Sequence, residues 1–202
     1  RAGRRGAVSS APPPCSPSEP CCRCRPISVP GCVDGWVELH KRFGKLTMRS
    51  VLRAAIEAAE LGVVVPQTIA EYWRRGVADR QDQPGFREVF MPWGRGPKEG
   101  ERFQNHALKR TLIRIAKLGR GGFYEGPVAD ALAAFVREHG GFLSKQDLLA
   151  HRSEWVEPVS TNYRGYDVYS MPPPSSGGIH LIQILNILEN FDLRKAGHNG
   201  AT

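Results

Sequence analysis

The sequence contains no run of about 18 apolar residues, the length that a membrane-spanning helix requires, so such a helix is excluded. It also lacks the G-x-x-x-x-G-K-S/T loop that cradles nucleotide phosphates. There is no initiating Met and the sequence stops at Thr202 without an ending signal, which predicts a fragment of a longer protein. With 41% hydrophobic and 24% charged residues, most of the 202 residues are expected to form one ordinary globular domain, or two small ones.

The net charge of +8 is divided between a short N-terminal stretch and the rest of the chain. Residues 1–27 hold five arginines and one glutamate, a net +4, and the other 175 residues hold 23 basic and 19 acidic residues, also +4. A basic module that contacts nucleic acid through residues 1–27 and 74–120 is one alternative. Because the basic residues there lack interleaved aromatic side chains and a recognisable reading helix, no nucleic-acid partner is predicted.

Residues 1–27 contain six of the prolines and four of the five cysteines, with almost no apolar periodicity. This composition predicts a disordered tail, because it buries too little apolar area to offset the entropy of ordering. No apolar stretch of about 7–15 residues follows the first arginines, which argues against a signal peptide. A zinc site is the alternative for Cys15, Cys21, Cys22 and Cys24, but their spacing lacks paired C-x2-C knuckles and histidines. No metal is therefore predicted.

Apolar spacing and capping residues predict a mostly helical chain after the tail. The first three predicted helices run from Val33 to Phe43, from the Thr47 cap to Gly62, and near Gln67 to Arg75. Two more run from the Asn105 cap to a break at residues 119–122 and from Pro127 to residues 140–141. Ser144 and Asp147 form a predicted capping box at the start of the next helix. Residues 76–103 are rich in Gly, Pro and Arg and are interpreted as a surface loop anchored at residues 90–92.

A β-hairpin and a strongly apolar helix are predicted near the end. Strands at 159–163 and 166–169 flank the connection Arg164-Gly165. Residues 179–191 then leave only a narrow polar stripe, so this helix is expected to be buried on several sides, against more protein than a hairpin can supply. The order of strands and helices predicts an α/β (α+β) fold in which helices cover a sheet.

Eight short motifs follow one another along residues 28–193. They are SVPG at 28–31, DGW at 34–36, HKRFGK at 40–45, FYEG at 123–126, WVEP at 155–158, NYRGYDV at 162–168, MPPPSSGGIH at 171–180 and ILNILENFD at 184–192. In this order and spacing the chain resembles the γ-glutamyltransferase family, also called γ-glutamyltranspeptidase or glutathione hydrolase.

The resemblance implies an N-terminal-nucleophile hydrolase with a four-layer αββα sandwich, of which residues 28–202 are a partial large-subunit domain truncated at both ends. Family members are made as zymogens that cut themselves in two. The new N-terminal Thr of the small subunit attacks a γ-glutamyl amide such as glutathione and transfers the acyl group to water or an amine. The resemblance also implies the small subunit as an obligate partner, no cofactor, and export to the periplasm or cell surface.

The family's catalytic residues do not map onto this chain. No segment matches the Thr-Thr-His motif of the nucleophile; the threonines present are Thr47, Thr68, Thr111, Thr161 and Thr202. The family's arginine for the substrate carboxylate lies upstream of SVPG, and Arg1, Arg4 and Arg5 do not stand in its motif. No catalytic, substrate-binding or metal residue is therefore assigned, and the fragment alone is predicted to be inactive. An inactive pseudo-subunit is the alternative.

Other polar residues have a structural and a functional interpretation each. The SSGG segment at 175–178 is interpreted as a helix cap with a close approach to a strand rather than an anion site. His180 is predicted to be a hydrogen-bonded core residue rather than a base, and Cys32 a small buried residue. Three histidines near helix ends are explained by interaction with the helix dipole or by exposure to solvent: His106, His139 and His151. Three tyrosines of the hairpin are predicted to pack against their neighbours: Tyr163, Tyr166 and Tyr169.

Overall fold

The computed structural model describes residues 27–197, and the chain divides between Ser153 and Glu154 into two compact units. The first unit contains α1 Cys32–Phe43, α2 Met48–Leu61, β1 Val63–Val64, α3 Gln67–Arg80, α4 Phe86–Phe90, β2 Arg102–Phe103, α5 His106–Leu118, α6 Gly121–Tyr124, α7 Gly126–Glu138 and α8 Lys145–Ala150. The second contains β3 Val159–Tyr163, β4 Tyr166–Ser170, α9 Ser176–Leu188 and α10 Leu193–Ala196. The predicted disordered tail and the predicted absence of zinc at its cysteines lie outside the described residues.

The core of the first unit is built from the apolar faces of its helices. α2 packs against α5, and α5, α6, α7 and α8 follow one another around the same cluster. The buried members are Val33, Leu52, Leu112, Ile115, Tyr124, Ala129, Ala133, Val136, Leu143 and Leu148. Each large apolar side chain removed from water in this way contributes roughly 1.5–3 kcal/mol, so this cluster is the main source of stability for the unit.

The predicted helix starts of this unit are confirmed at three caps. The Thr47 hydroxyl accepts a hydrogen bond from the Ser50 N–H, and the Asn105 side chain accepts one from Leu108. Ser144 and Asp147 form the reciprocal capping box. These side chains replace the hydrogen bonds that the first turn of a helix cannot make within itself.

The region predicted as a loop, residues 76–103, contains more structure than its composition indicated. α3 extends to Arg80, α4 lies within the region, and β2 pairs with β1 so that Phe103 stands opposite Val63. The Trp73 indole N–H donates to the Phe90 carbonyl at 3.0 Å, and its ring centroid lies 4.6 Å from that of Phe103. Such contacts join residues far apart in sequence, so helical periodicity could not reveal them. The predicted anchor is confirmed at Met91, which is buried.

In the second unit the predicted hairpin is confirmed, with β3 and β4 antiparallel over five pairs. Its turn consists of Arg164 and Gly165, both with positive φ, as a two-residue connection that follows the twist of the strands requires. α9 packs on the hairpin. The Thr161 hydroxyl donates to the Asn186 side chain at 2.7 Å, and the Arg164 N–H donates to the Glu189 carboxylate.

Within residues 27–197 the apolar last helix is not buried on several sides, which agrees with the expectation that the hairpin alone cannot cover it. Gly178 is its one buried residue among those described, and Ile184 and Ile187 remain 53% and 60% exposed. The reason is that polar Asn186 faces the hairpin, while much of the apolar surface of α9 has no element of the second unit against it. Tyr166 and Tyr169 of the hairpin are also exposed, against the prediction that they pack.

The described residues therefore form a mostly helical α+β structure with two small antiparallel sheets. Between residues 27 and 197, no helix combines the length and the hydropathy that crossing a membrane requires.

Candidate functional site

The first turn of α1 carries a buried carboxylate, that of Asp34, which is only 1% exposed. Its neighbours Val33 and Val37 are also buried, so the helix turns this residue toward the core together with its apolar face. The Ser153 N–H donates to Oδ2 at 2.5 Å, and Nε of Arg120 lies 2.8 Å from Oδ1. The last two atoms are not aligned as a hydrogen bond, so this contact is a buried ion pair.

The Arg120 guanidinium connects this carboxylate to the end of α8. Its Nη2 donates to the carbonyl oxygens of Leu148, Leu149 and His151 at 3.2, 2.9 and 2.7 Å. The last carbonyls of a helix have no partner within the helix, and a cationic side chain stabilises them. The guanidinium carbon also lies 4.8 Å from the ring centroid of Tyr124, a cation–π distance.

Tyr124 of α6 is fully buried and connects the cluster to the chain before α1. Its hydroxyl accepts the Asp34 N–H at 3.1 Å and donates to the Pro30 carbonyl at 2.5 Å. Burial raises the pKa of this phenol, so it remains a neutral hydrogen-bond donor. The SVPG, DGW and FYEG segments are thereby joined at one point.

His151 lies beside this cluster rather than alone near a helix end, which corrects the sequence interpretation. Its ring centroid is 5.7 Å from that of Tyr124, and its Nε2 is buried without a hydrogen bond among residues 27–197. A Cβ on Gly31 would lie 3.0 Å from Nε2, so the imidazole packs directly against the glycine of the SVPG segment.

Electrostatics keep the Asp34 carboxylate ionised. Burial, the largest influence, acts to raise its pKa, but the hydrogen bonds from Ser153 and the charge of Arg120 outweigh it. The pKa consequently lies below the usual 3.8. An ionised acid held by a guanidinium, next to a neutral phenol, offers no activated nucleophile. We conclude that the Asp34–Arg120–Tyr124 cluster positions the chain and that its chemistry is structural.

Sequence reasoning did not find this cluster. One signal was present: Asp34 occupies a position on the apolar stripe of α1, between residues that the periodicity assigned to the core. A carboxylate on such a stripe must meet a cation or several donors. Nothing in the sequence alone identified Arg120, 86 positions away, as that cation.

The other candidates have mixed outcomes. His180 and Cys32 are exposed, so both predictions of burial are wrong. His106 is exposed at the start of α5, in agreement with the solvent interpretation. Nδ1 of His139 lies 2.7 Å from the Phe135 carbonyl oxygen at the end of α7, and the two rings stack.

The SSGG segment begins α9 as predicted, but the Ser175 side chain makes no capping hydrogen bond. The close approach is confirmed: a Cβ on Gly178 would collide with the Met171 carbonyl at the end of β4. Within residues 27–197, no group of three or more His, Cys, Asp or Glu side chains could hold a metal ion.

Comparison with known proteins places these features in a family. A family model described as gamma-glutamyltranspeptidase matches residues 13–202. A glutathione hydrolase-like proenzyme of Bacillus subtilis is 37% identical over 85% of the chain and 33% of its own length. The glutathione hydrolase proenzyme of Escherichia coli is 37% identical over 86% of the chain and 30% of its own length.

Solved structures agree. The gamma-glutamyltranspeptidase of Helicobacter pylori superimposes with a TM-score of 0.80 and 36% identity, over 86% of this chain and 50% of that one. A cephalosporin acylase from Bacillus halodurans superimposes with a TM-score of 0.77 and 38% identity, over 82% of this chain and 32% of that one. The chain spans about a third of the length of the curated relatives. By sequence and by fold, the chain belongs to the gamma-glutamyltranspeptidase family.

Proposed function

We propose that the chain is part of an enzyme that hydrolyses or transfers γ-glutamyl amides, with glutathione as the substrate. The observation that carries this proposal is the family match over residues 13–202, which the TM-score of 0.80 with a gamma-glutamyltranspeptidase supports. Residues 28–202 are then a partial large-subunit domain that follows a 27-residue tail. Export to the periplasm or the outside of the cell is part of the same proposal.

In this proposal the chain supplies scaffold rather than catalytic groups. Two threonines of the described part have structural roles: Thr47 caps α2, and Thr161 in β3 donates a hydrogen bond to α9. The nucleophile would be the N-terminal Thr that self-cleavage creates in a small subunit. Its own α-amine would act as the base, and hydrogen-bond donors of an oxyanion hole would stabilise the tetrahedral intermediate. Activity would therefore require the small subunit as a partner.

The test is an assay of p-nitroaniline release from a γ-glutamyl p-nitroanilide. We expect no release by the purified chain, and release once the missing flanks of the precursor, including the Thr-bearing small subunit, are expressed together with it. A Thr→Ala exchange at the new N-terminus of that subunit is the control and should abolish release. Turnover by the chain alone would contradict the proposed absence of the nucleophile, and an inactive complex would support the pseudo-subunit alternative.

Amide hydrolysis on another acyl group is a second candidate, because the cephalosporin acylase matches at 38% identity with a TM-score of 0.77. The two candidates share nucleophile and fold and differ in the acyl group. Comparing kcat/KM of the complex for a γ-glutamyl anilide and for a cephalosporin amide decides between them. A higher value for the cephalosporin amide would reject the γ-glutamyl substrate while leaving the reaction class in place.

A further inference from the structure

A groove of about 790 Å³ runs between α2 and α5 on the first unit, away from the Asp34–Arg120–Tyr124 cluster. This volume falls within the range of roughly 300–1,000 Å³ that small-molecule sites occupy. Residues of both helices line it, with Ile56, Ile113 and Ala116 as its apolar part and six charged side chains around them: Arg49, Arg53, Glu57, Glu60, Lys109 and Lys117.

The charges are distributed unequally between the two ends of the groove. Lys109, near the start of α5, pairs with Glu60, near the end of α2, at 2.5 Å, so the two helices run antiparallel and this end is neutral. Antiparallel packing places Arg49, at the start of α2, and Lys117, at the end of α5, together at the other end. That end therefore concentrates positive charge.

The cations of this end have no ion-pair partner among the residues that the structure describes. In the part of the chain that the structure describes, Arg49, Arg53 and Lys117 take part in no ion pair and no side-chain hydrogen bond. Arg49 and Arg53 are four residues apart on one helix, a spacing at which like charges repel by a few tenths of a kcal/mol. Glu57 lines the same groove but pairs with none of them, so three cations face one carboxylate.

The start of α2 adds to this positive potential. Its first turn contains no acidic residue, although acidic side chains are favourable where the helix dipole is positive. Arginine binds carboxylate and phosphate groups through two parallel hydrogen bonds, and lysine adds a compact charge. The neighbouring Ile113 is 42% exposed and offers an apolar contact beside the charges.

We propose that the cationic end of the α2–α5 groove binds a small polyanion, with its carboxylate or phosphate groups on Arg49, Arg53 and Lys117. The site is independent of the proposed γ-glutamyl chemistry and uses none of the residues of the Asp34–Arg120–Tyr124 cluster. Its ligand compensates the repulsion between the two arginines, and its affinity should fall as salt screens the charges.

The test is calorimetric titration of the chain with citrate and, separately, with inorganic pyrophosphate at low ionic strength. Arg53→Gln and Lys117→Gln should each weaken the binding by about fivefold or more, because each removes one charge-assisted contact. Arg137→Gln is the matched control: it removes the same charge from an exposed position on α7 and should change the affinity less than about twofold. Circular dichroism verifies that the variants fold.

The outcomes separate clearly. Saturable binding of citrate alone assigns a carboxylate ligand, and saturable binding of pyrophosphate alone assigns a phosphate ligand. Weaker binding in both groove variants, with unchanged binding in the control, supports the site. The proposal is overturned if neither anion binds saturably. It is also overturned if the groove variants bind as well as the unmodified chain, or if Arg137→Gln weakens binding equally, because attraction to the net charge then explains the result.

Discussion

Among single residues, Asp34 shows most directly how a buried charge fixes the conformation of this chain. The carboxylate receives a backbone N–H from Ser153, 119 positions away, and the guanidinium of Arg120. The Coulomb attraction in such a pair roughly offsets the desolvation of both groups, so the pair adds little net stability. Removing Asp34, however, leaves the buried Arg120 charge with only the exposed Glu125 carboxylate as a counter-ion. The cluster therefore specifies which segments meet more than it stabilises them.

Asp34→Asn should destabilise the first unit by about 3 kcal/mol, because the Arg120 guanidinium, 15% exposed, loses its buried counter-ion and keeps only the exposed Glu125 carboxylate, 3.7 Å away. Urea unfolding followed by tryptophan fluorescence measures the change. Glu38→Gln on the same helix is the control: it breaks the exposed pair with Lys41 and should cost less than about 1 kcal/mol. Equal losses in the two variants would show that the buried pair has no special role.

The same carboxylate predicts a pH dependence. The pKa of Asp34 in the folded chain lies below the usual 3.8, so its ionised form contributes stability at higher pH, and this contribution is lost as the pH falls below that value. The urea midpoint should therefore drop between about pH 5 and about pH 3, and the drop should be smaller in Asp34→Asn. An identical drop in both proteins would assign the acid sensitivity to other carboxylates.

At the scale of the helices and strands, Gly178 fixes how closely α9 approaches the end of β4. Gly178→Ala should destabilise the second unit by about 2 kcal/mol, because the added methyl group collides with the Met171 backbone carbonyl, which cannot move aside as a flexible side chain would. Faster amide hydrogen exchange in the hairpin measures this loss.

Gly177→Ala is the matched control for that experiment. At this position the nearest atom to an added Cβ, the Ser175 Oγ, is 3.8 Å away, which is ordinary contact. Alanine also favours the helix over glycine, so exchange should stay unchanged or slow slightly. If both variants exchange equally fast, the close approach of Gly178 is not what holds the helix on the hairpin.

The elements that could be predicted from the sequence are those with local signals. Thr47, Asn105 and Ser144 each begin a helix by accepting a nearby N–H, and the Arg164-Gly165 turn connects adjacent strands. α4 and the β1–β2 pairing were not predicted, because they depend on contacts such as Trp73 with Phe103, which lie 30 positions apart. Side chains that meet across such distances leave no periodic pattern.

For the whole molecule, the sequence predicted the family but not the positioning cluster. The motifs SVPG, DGW and FYEG are part of the series that carries the resemblance to the family, and the structure shows that Pro30, Asp34 and Tyr124 within them meet through hydrogen bonds. The partners of a buried charge depend on the tertiary fold.

The exposed apolar surface of α9 is the property of the molecule most accessible to a simple test. Its apolar residues include Ile187, 60% exposed, and such side chains bind hydrophobic dyes when they cluster. Ile187→Glu should lower the fluorescence of bound anilinonaphthalene sulfonate substantially without unfolding the hairpin. Gln183→Glu introduces the same charge at an exposed polar position of the same helix and removes no apolar area, so the fluorescence should change little. Equal decreases would attribute the effect to repulsion of the anionic dye, and an unchanged signal in Ile187→Glu would exclude α9 as the dye-binding surface.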